Sequence, residues 1–252
     1  VCRENCVCAG LPVAEAIFKK LDTKIYFKAM VREGQFCKAG TVLAKIAGPA
    51  AAMLSGERTA LNFLQRMCGI ATTAKKYSDA AKGTKTKILD TRKTTPGWRN
   101  LEKYSVAAGG ASNHRIGLYD KIMIKDNHRM LAGLLYKNGI IDAVKRARKA
   151  YPKLQIEVEA DTLDDVRRAL DAGADIILLD NMDDKTMKNA VKITGGRAKL
   201  EASGGITIDR IAKIAKLGVD FISCGALTHS VKATDISMEM EASCNRPQTV
   251  YS

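Results

Sequence analysis

The chain is poor in several features that mark common functions. Aromatic residues make up only 5% of its 252 residues, with a single tryptophan. No stacking motif accompanies its basic residues, which argues against a nucleic-acid binder. No apolar run reaches the length of a membrane span, and no signal peptide is visible. The seven cysteines, at 2, 6, 8, 37, 68, 224 and 244, are odd in number and lack paired C-x-x-C spacing. Reduced, cytoplasmic thiols fit the whole set. Cys2, Cys6 and Cys8 form a C-x3-C-x-C cluster, but tetrahedral zinc wants a fourth ligand and no histidine lies nearby. Alternate residues of a strand, with thiols acting as small hydrophobes, describe them better. There is no Ser-His-Asp or Cys-His set to supply a covalent nucleophile. No G-x-G-x-x-G follows the first strand of the α/β region, which excludes the usual dinucleotide fingerprint.

What is present is a soluble-type composition, 46% hydrophobic and 27% charged, long enough for one large domain or a large and a small one. The formal charge is +14, from 41 basic and 27 acidic residues. The basic residues are scattered, so anionic small molecules suit them better than nucleic acid.

Residues 1–48 read as short extended pieces, "VCRENCVCAG", "TKIYFKAMVREGQF" and "GTVLAKIAG", with the helix "PVAEAIFKKL" between them. Gly34, Gly40 and Gly48 punctuate the pieces, and a small sheet with a helix is expected. After Pro49, Leu54, Leu61, Leu64 and Cys68 recur at helical spacing. They predict a long core-packing helix, with Gly69 as the candidate break. From residue 85, six apolar runs end in polar residues: "KTKILD", "DKIMIKDN", "QIEVEA", "DIILLDN", "AKLEASGG" and "DFISCG". Helical patterns separate the later ones at a spacing that suits β-α units and a parallel sheet buried on both faces. An α/β barrel, incomplete or irregular with six strands, is expected.

Barrel chemistry lies at the C-terminal strand ends. Those ends carry cations early, carboxylates in the middle and glycines late. Ser203, Gly204 and Gly205 in "EASGG", and Gly225 in "SCGAL", are turns whose amides suit phosphate. Glu157 and Glu159 share one strand face, and Asp180 ends the next strand. Glu157 reads as half of a structural ion pair with a lysine. Glu159, nearer the strand end, and Asp180 are suited to Mg²⁺, directly or through water, or to sugar hydroxyls. Both are expected to lie away from the cationic group. Arg92, His114, Arg115 and Lys125 provide forks and point charges for carboxylates, and Lys93 for pyrophosphate.

The runs "GERTALNFLQRMCGIAT", "LDTRKTTPGWRNLEKYSVAAGGASNHRIGLYDKIMIKDNH", "IEVEA", "ILLDNM", "EASGGI" and "ISCGAL" together resemble the quinolinate phosphoribosyltransferase family across nearly all of the chain. The resemblance implies that quinolinate and 5-phosphoribosyl 1-pyrophosphate give nicotinate mononucleotide, pyrophosphate and CO₂ in de novo NAD synthesis, with Mg²⁺. It implies a small N-terminal α/β sandwich (residues 1–70), an incomplete barrel (71–230) and a C-terminal segment (231–252) that returns to the first domain. It gives the dicarboxylate to Arg92, His114, Arg115 and Lys125, with Arg58 contributed across a subunit boundary. Lys93 would meet the pyrophosphate. Glu159 and Asp180 would serve the ribose hydroxyls and the metal, so the chemistry falls to these two and Lys93. Ser203, Gly204, Gly205, Gly225 and His229 would take the 5-phosphate end. A homodimer with shared sites, or a hexamer, is implied, in the cytoplasm and without nucleic acid or membrane. Family members usually carry a helical segment ahead of the position where this chain begins, at Val1. A relative on the same scaffold acting on another aromatic acid is the rival reading, and the complete set Arg92, Arg115 and Lys125 stands against it.

Overall fold

A computed structural model describes residues 1–135 and 139–240 of the chain. The N-terminal part runs β1 (Cys6–Val7), α1 (Leu11–Leu21), β2 (Tyr26–Ala29), β3 (Phe36–Cys37) and β4 (Ala44–Ala47). It forms two separate antiparallel ladders, β1–β3 and β2–β4, rather than the single small sheet that the sequence suggests. Strands of two to four residues leave too few backbone bonds to join the ladders, and side-chain packing unites them instead. Cys2, Cys6, Cys8, Leu11, Phe18, Ile25, Cys37, Leu61, Leu64 and Cys68 share one core there. The thiols thus serve as small apolar groups, and burial pushes that of Cys37 up to about 11.

Helix α2 (Ala50–Ala80) follows without a break. Gly69 does not interrupt it. A Cβ at Gly69 would collide with the carbonyl oxygen of Lys232, so the glycine serves close packing against the returning chain. Leu54 stays 55% exposed, outside the apolar stripe formed by Leu61, Leu64 and Cys68. Farther along, Ile70 and Ala74 join the core of the second region.

That region contains β5 (Lys87–Leu89), α3 (Arg99–Ala108), β6 (Ile122–Ile124), α4 (Asp126–Leu135), α5 (Gly139–Ala150), β7 (Ile156–Ala160), α6 (Leu163–Asp171), β8 (Ile176–Asp180), α7 (Asp184–Thr194), β9 (Lys199–Ser203), α8 (Ile208–Ala215), β10 (Phe221–Ser223) and α9 (Ala226–His229). The six strands pair in the order β5-β10-β9-β8-β7-β6, all parallel. β5 and β6 do not pair with each other, so the barrel is incomplete, as its six apolar runs predict. The free edge of β5 is covered by Ser112. Its N–H donates to the Ile88 carbonyl at 2.8 Å, and its own carbonyl accepts from Asp90 N at 3.2 Å.

The strands alternate strictly. Ile156, Val158, Ile177, Leu179, Leu200, Ala202 and Ile222 pack outward against the helices. Glu157, Glu159, Leu178 and Glu201 therefore point to the opposite, inner face. Helix starts are fixed locally. Thr162 and Asp165 form a reciprocal capping box on α6, and Asp183 accepts the Thr186 amide at the start of α7. The segment after α9 returns to the first core, where Cys2 bridges Ile236 and Gln65 Nε2 donates to the Ile236 carbonyl at 2.9 Å. Residues 241–252, including Cys244, lie outside the described residues.

Candidate active site

Strand order sets the rim of the barrel. Going round it come Arg92 and Lys93 after β5, Gly225 after β10, Ser203 to Gly205 at β9, Asp180 at β8, Glu159 on β7 and Lys125 after β6. The segment 109–115, lying on the open edge of β5, brings His114 and Arg115 to the same mouth.

Asp90 organises the cationic end. Its buried carboxylate accepts from Lys103 Nζ at 2.5 Å and from the His114 amide at 2.7 Å. The Asn113 side-chain amide reaches its second oxygen at 2.8 Å. Lys103 also donates to the His114 carbonyl at 2.9 Å. The loop that the sequence marks by its double glycine is thereby tied to the end of β5. Arg115 Nη1 donates to the Lys121 carbonyl at 3.0 Å. Burial, with the charge of nearby Arg92 second, lowers the Arg115 pKa. Arg92 Nε is itself buried with no hydrogen-bond partner among the described residues. Two guanidiniums side by side, one with an orphaned donor, form a place for an anion.

His114 is 8% exposed, and both ring nitrogens face protein. Nε2 lies 3.3 Å from Glu157 Oε2 and 3.4 Å from Glu201 Oε2. Lys121 Nζ sits 2.6 Å from that same Glu157 oxygen and 3.3 Å from Nε2. Nδ1 accepts the Arg115 amide at 2.7 Å. Glu157 is thus the structural ion-pair partner of a lysine that the sequence leads one to expect. Burial lowers the proton affinity of the imidazole, but the flanking carboxylates outweigh it and raise the His114 pKa to about 9. The Arg115 hydrogen bond pulls the other way, because it needs a lone pair on Nδ1. That bond decides the arrangement, since a proton on Nδ1 would face the amide hydrogen head-on. The cluster's exchangeable proton then rests on Glu201, whose carboxyl is pushed up by burial and next by Glu157.

Lys125 and Glu159, read as parts of separate groups, are in contact: Nζ lies 2.6 Å from Oε2. The expectation that Glu159 stands apart from the cations is corrected here. β6 and β7 are neighbours, and their ends meet. Burial, then the Glu159 charge, raises the Asp180 pKa, so these two acids lie near each other. Two carboxylates on adjacent strand ends fit Mg²⁺, which takes one or two protein carboxylates with water and substrate phosphates. The group His114, Glu157 and Glu201 also has metal-like spacing, but the Lys121 ammonium already occupies it.

The glycine turns are demanding. Gly204 has φ +94°, and a Cβ there would strike the side chain of Asn181. A Cβ on Gly225 would come within 2.9 Å of the His229 ring and 3.2 Å of Lys93 Cδ. Gly225, Lys93 and His229 are therefore packed together, although the strand-end reading set Lys93 among the early cations and Gly225 among the late glycines. Ser203 and Gly205 complete the adjacent turn, whereas Arg58 is exposed on α2 and makes no hydrogen bond or ion pair with these residues among the described residues.

Sequence reasoning missed the supports. Arg66, on α2, donates to Glu102 Oε1 at 2.8 Å and to the Thr228 carbonyl at 2.6 Å. Thr228 Oγ1 in turn donates to the Lys93 carbonyl at 2.8 Å. Arg129 donates to the Glu159 carbonyl at 2.9 Å. Glu201 was findable, since it shares a strand face with Ser203 two residues on.

Comparison with known proteins completes the picture. A family model described as "Quinolinate phosphoribosyl transferase, N-terminal domain" matches residues 1–68, and its C-terminal counterpart matches residues 70–239. The chain belongs to the quinolinate phosphoribosyl transferase family. A family member from Bacillus subtilis, "Probable nicotinate-nucleotide pyrophosphorylase [carboxylating]", is 45% identical over 244 residues, covering 96% of this chain and 83% of its own length. One of the same name from Synechocystis is 44% identical, covering 95% and 81%. The crystal structure of NadC from Streptococcus pyogenes superposes with a TM-score of 0.90 at 38% identity, covering 95% of this chain and 83% of that one. The family fold is thus present in both parts of the chain.

Proposed function

We propose that the chain is a decarboxylating quinolinate phosphoribosyltransferase, converting quinolinate and 5-phosphoribosyl 1-pyrophosphate to nicotinate mononucleotide, pyrophosphate and CO₂ for NAD synthesis. The observation that carries this reading is the pair Arg92 and Arg115. They adjoin each other, and neither has an ion-pair partner among the described residues. A pyridine dicarboxylate supplies two anionic groups on a rigid ring for such a pair, with Lys125 on the same rim after β6.

Held there, the ring nitrogen can face the anomeric carbon, which offsets the entropic cost of bringing two substrates together. The C–N bond forms as the bond to pyrophosphate breaks. Lys93 is placed to offset charge on the leaving group, and Glu159 and Asp180 to favour the positive charge that develops on the sugar. Mg²⁺, held by Glu159 and Asp180, would supply further charge toward the pyrophosphate and ribose oxygens. The turns at Ser203, Gly204, Gly205 and Gly225, with His229, suit the 5-phosphate. Once alkylated, the ring nitrogen is cationic. The bond to the adjacent carboxylate can then break with its electron pair retained at the ring carbon, which takes up a proton.

Leu118 and Tyr119, 69% and 74% accessible beside the Arg115 loop, offer apolar surface to a homodimer contact, and the contribution of Arg58 to the partner's site rests on the family resemblance. The buried, reduced thiols suit a cytoplasmic setting, and among the described residues no helix is long and apolar enough to cross a membrane. The test is direct: purified protein given quinolinate, 5-phosphoribosyl 1-pyrophosphate and Mg²⁺ should release nicotinate mononucleotide and CO₂ in equal amounts. Absence of that product would reject the assignment.

A further inference from the structure

The buried charges on the inner face of the barrel do more than balance one another. Four ionisable side chains from different segments converge there: Lys121, ahead of β6, Glu157 on β7, Glu201 on β9 and His114. Glu157 and Glu201 are both fully buried, and neither has a well-aligned side-chain hydrogen bond apart from these ionic contacts. Keeping a charged Glu157 and a protonated Glu201 in such a place is costly unless they hold something. What they hold is Nε2 of His114. Lys121 Nζ and Nε2 lie 2.6 Å and 3.3 Å from the same Glu157 oxygen, so a proton on Nε2 would face a carboxylate. A donor proton on Nε2 leaves the lone pair on Nδ1, and the Arg115 amide fills that position at 2.7 Å.

We infer that Glu157 is a positioning residue for the dicarboxylate pocket: with Glu201 as an uncharged neighbour, it fixes His114 in its Nε2–H form, and His114 in turn fixes the backbone from which Arg115 reaches the substrate. This inference rests on the assignment of Arg115 to quinolinate. The backbone of His114 is independently clamped by Asp90 and Lys103, so the imidazole is held from two sides and Arg115 from one of them. Arg115 gains a second tether through Nη1 and the Lys121 carbonyl, on the same lysine that pairs with Glu157. One cluster therefore governs both ends of the arginine.

The test reads the tautomer of His114 and the affinity for each substrate separately. The chain has only three histidines, so His114 can be assigned by nitrogen-15 NMR after replacing His128 and His229. Near neutral pH and without substrate, wild type should show a protonated Nε2 and a bare Nδ1. Glu157→Gln should populate both neutral tautomers. It should also weaken quinolinate binding about tenfold while leaving 5-phosphoribosyl 1-pyrophosphate within about twofold, since a charged acceptor is lost on one side of the site alone. Glu201 carries the cluster's proton and is already uncharged, so Glu201→Gln should keep both the tautomer and the quinolinate affinity. If Glu157→Gln does not fold, the double substitution K121M/E157M removes the ion pair without leaving a buried charge, and the same shifts are expected of it. A proton on Nδ1 in wild type would overturn the inference. So would an altered tautomer with unchanged quinolinate affinity. The tautomer needs no substrate to be read, so its failure is distinct from that of the proposed activity, which would show as no quinolinate binding by wild type.

Discussion

Lys125 Nζ lies 2.6 Å from Glu159 Oε2, joining a residue assigned to the dicarboxylate with one assigned to the ribose and metal. In the free protein each neutralises the other, and quinolinate must compete with Glu159 for the ammonium. Glu159→Gln should therefore leave quinolinate binding intact or tighten it by about two- to fivefold, the range for a half-exposed pair. Turnover should fall at least about a hundredfold. Lys125→Ala should weaken quinolinate binding. Calorimetry with quinolinate alone, beside steady-state kinetics, checks both. A clear loss of quinolinate affinity in Glu159→Gln would contradict the competition.

Stability should fall as pH rises through the alkaline range. The cluster of His114, Glu157, Glu201 and Lys121 keeps a proton that the unfolded chain releases near the ordinary histidine value of about 6.5, because burial, and next Glu157, pushes the Glu201 carboxyl up. Between that value and the cluster's raised pKa the folded state binds more protons. The extra stability is complete below about 6.5 and is lost as pH rises through the cluster's raised pKa. The sign is the same whether the proton sits on His114 or Glu201. Urea midpoints measured across this range check it, and a flat profile would refute it.

Arg66→Ala should cost about 3 kcal/mol, because it strands the buried Glu102 carboxylate. Through Thr228 and the Lys93 carbonyl it should also loosen the pyrophosphate end, raising KM for 5-phosphoribosyl 1-pyrophosphate more than KM for quinolinate. Equal changes in the two KM values would show that the effect is on folding alone.

Arg58, exposed on α2, is expected to act in a partner subunit. Arg58→Ala and Arg115→Ala should each be nearly inactive. Mixed under conditions that exchange subunits, half of the dimers become hybrids with one intact site, restoring about a quarter of wild-type activity. Confirmed exchange without recovery would place Arg58 outside any shared site.

The six barrel strands were legible because each is an apolar run closed by a polar residue, and burial on both faces writes that pattern strongly. Residues after strand ends, such as Arg92, Lys93 and Gly225, could be grouped for the same reason. The contact between Lys125 and Glu159 could not, because it depends on β6 lying beside β7, and chain order alone does not fix strand order. The N-terminal ladders were blurred by strands only two to four residues long, whose residues obey core packing more than period two. Arg66 was hidden in a helix where an arginine usually means a solvated face, and only the tertiary fold sets Glu102 opposite it.

The unbroken helix α2 has a consequence for how this molecule comes apart. Leu61 and Leu64 belong to the first core and Ile70 and Ala74 to the second, within a single run of helical hydrogen bonds. Melting either core removes the support of one half of the helix and weakens the other half. The two regions should therefore unfold in one transition. A cut between residues 68 and 70, where the two family domains meet, would give fragments that each present an unpaired helical face to water rather than two independent folding units.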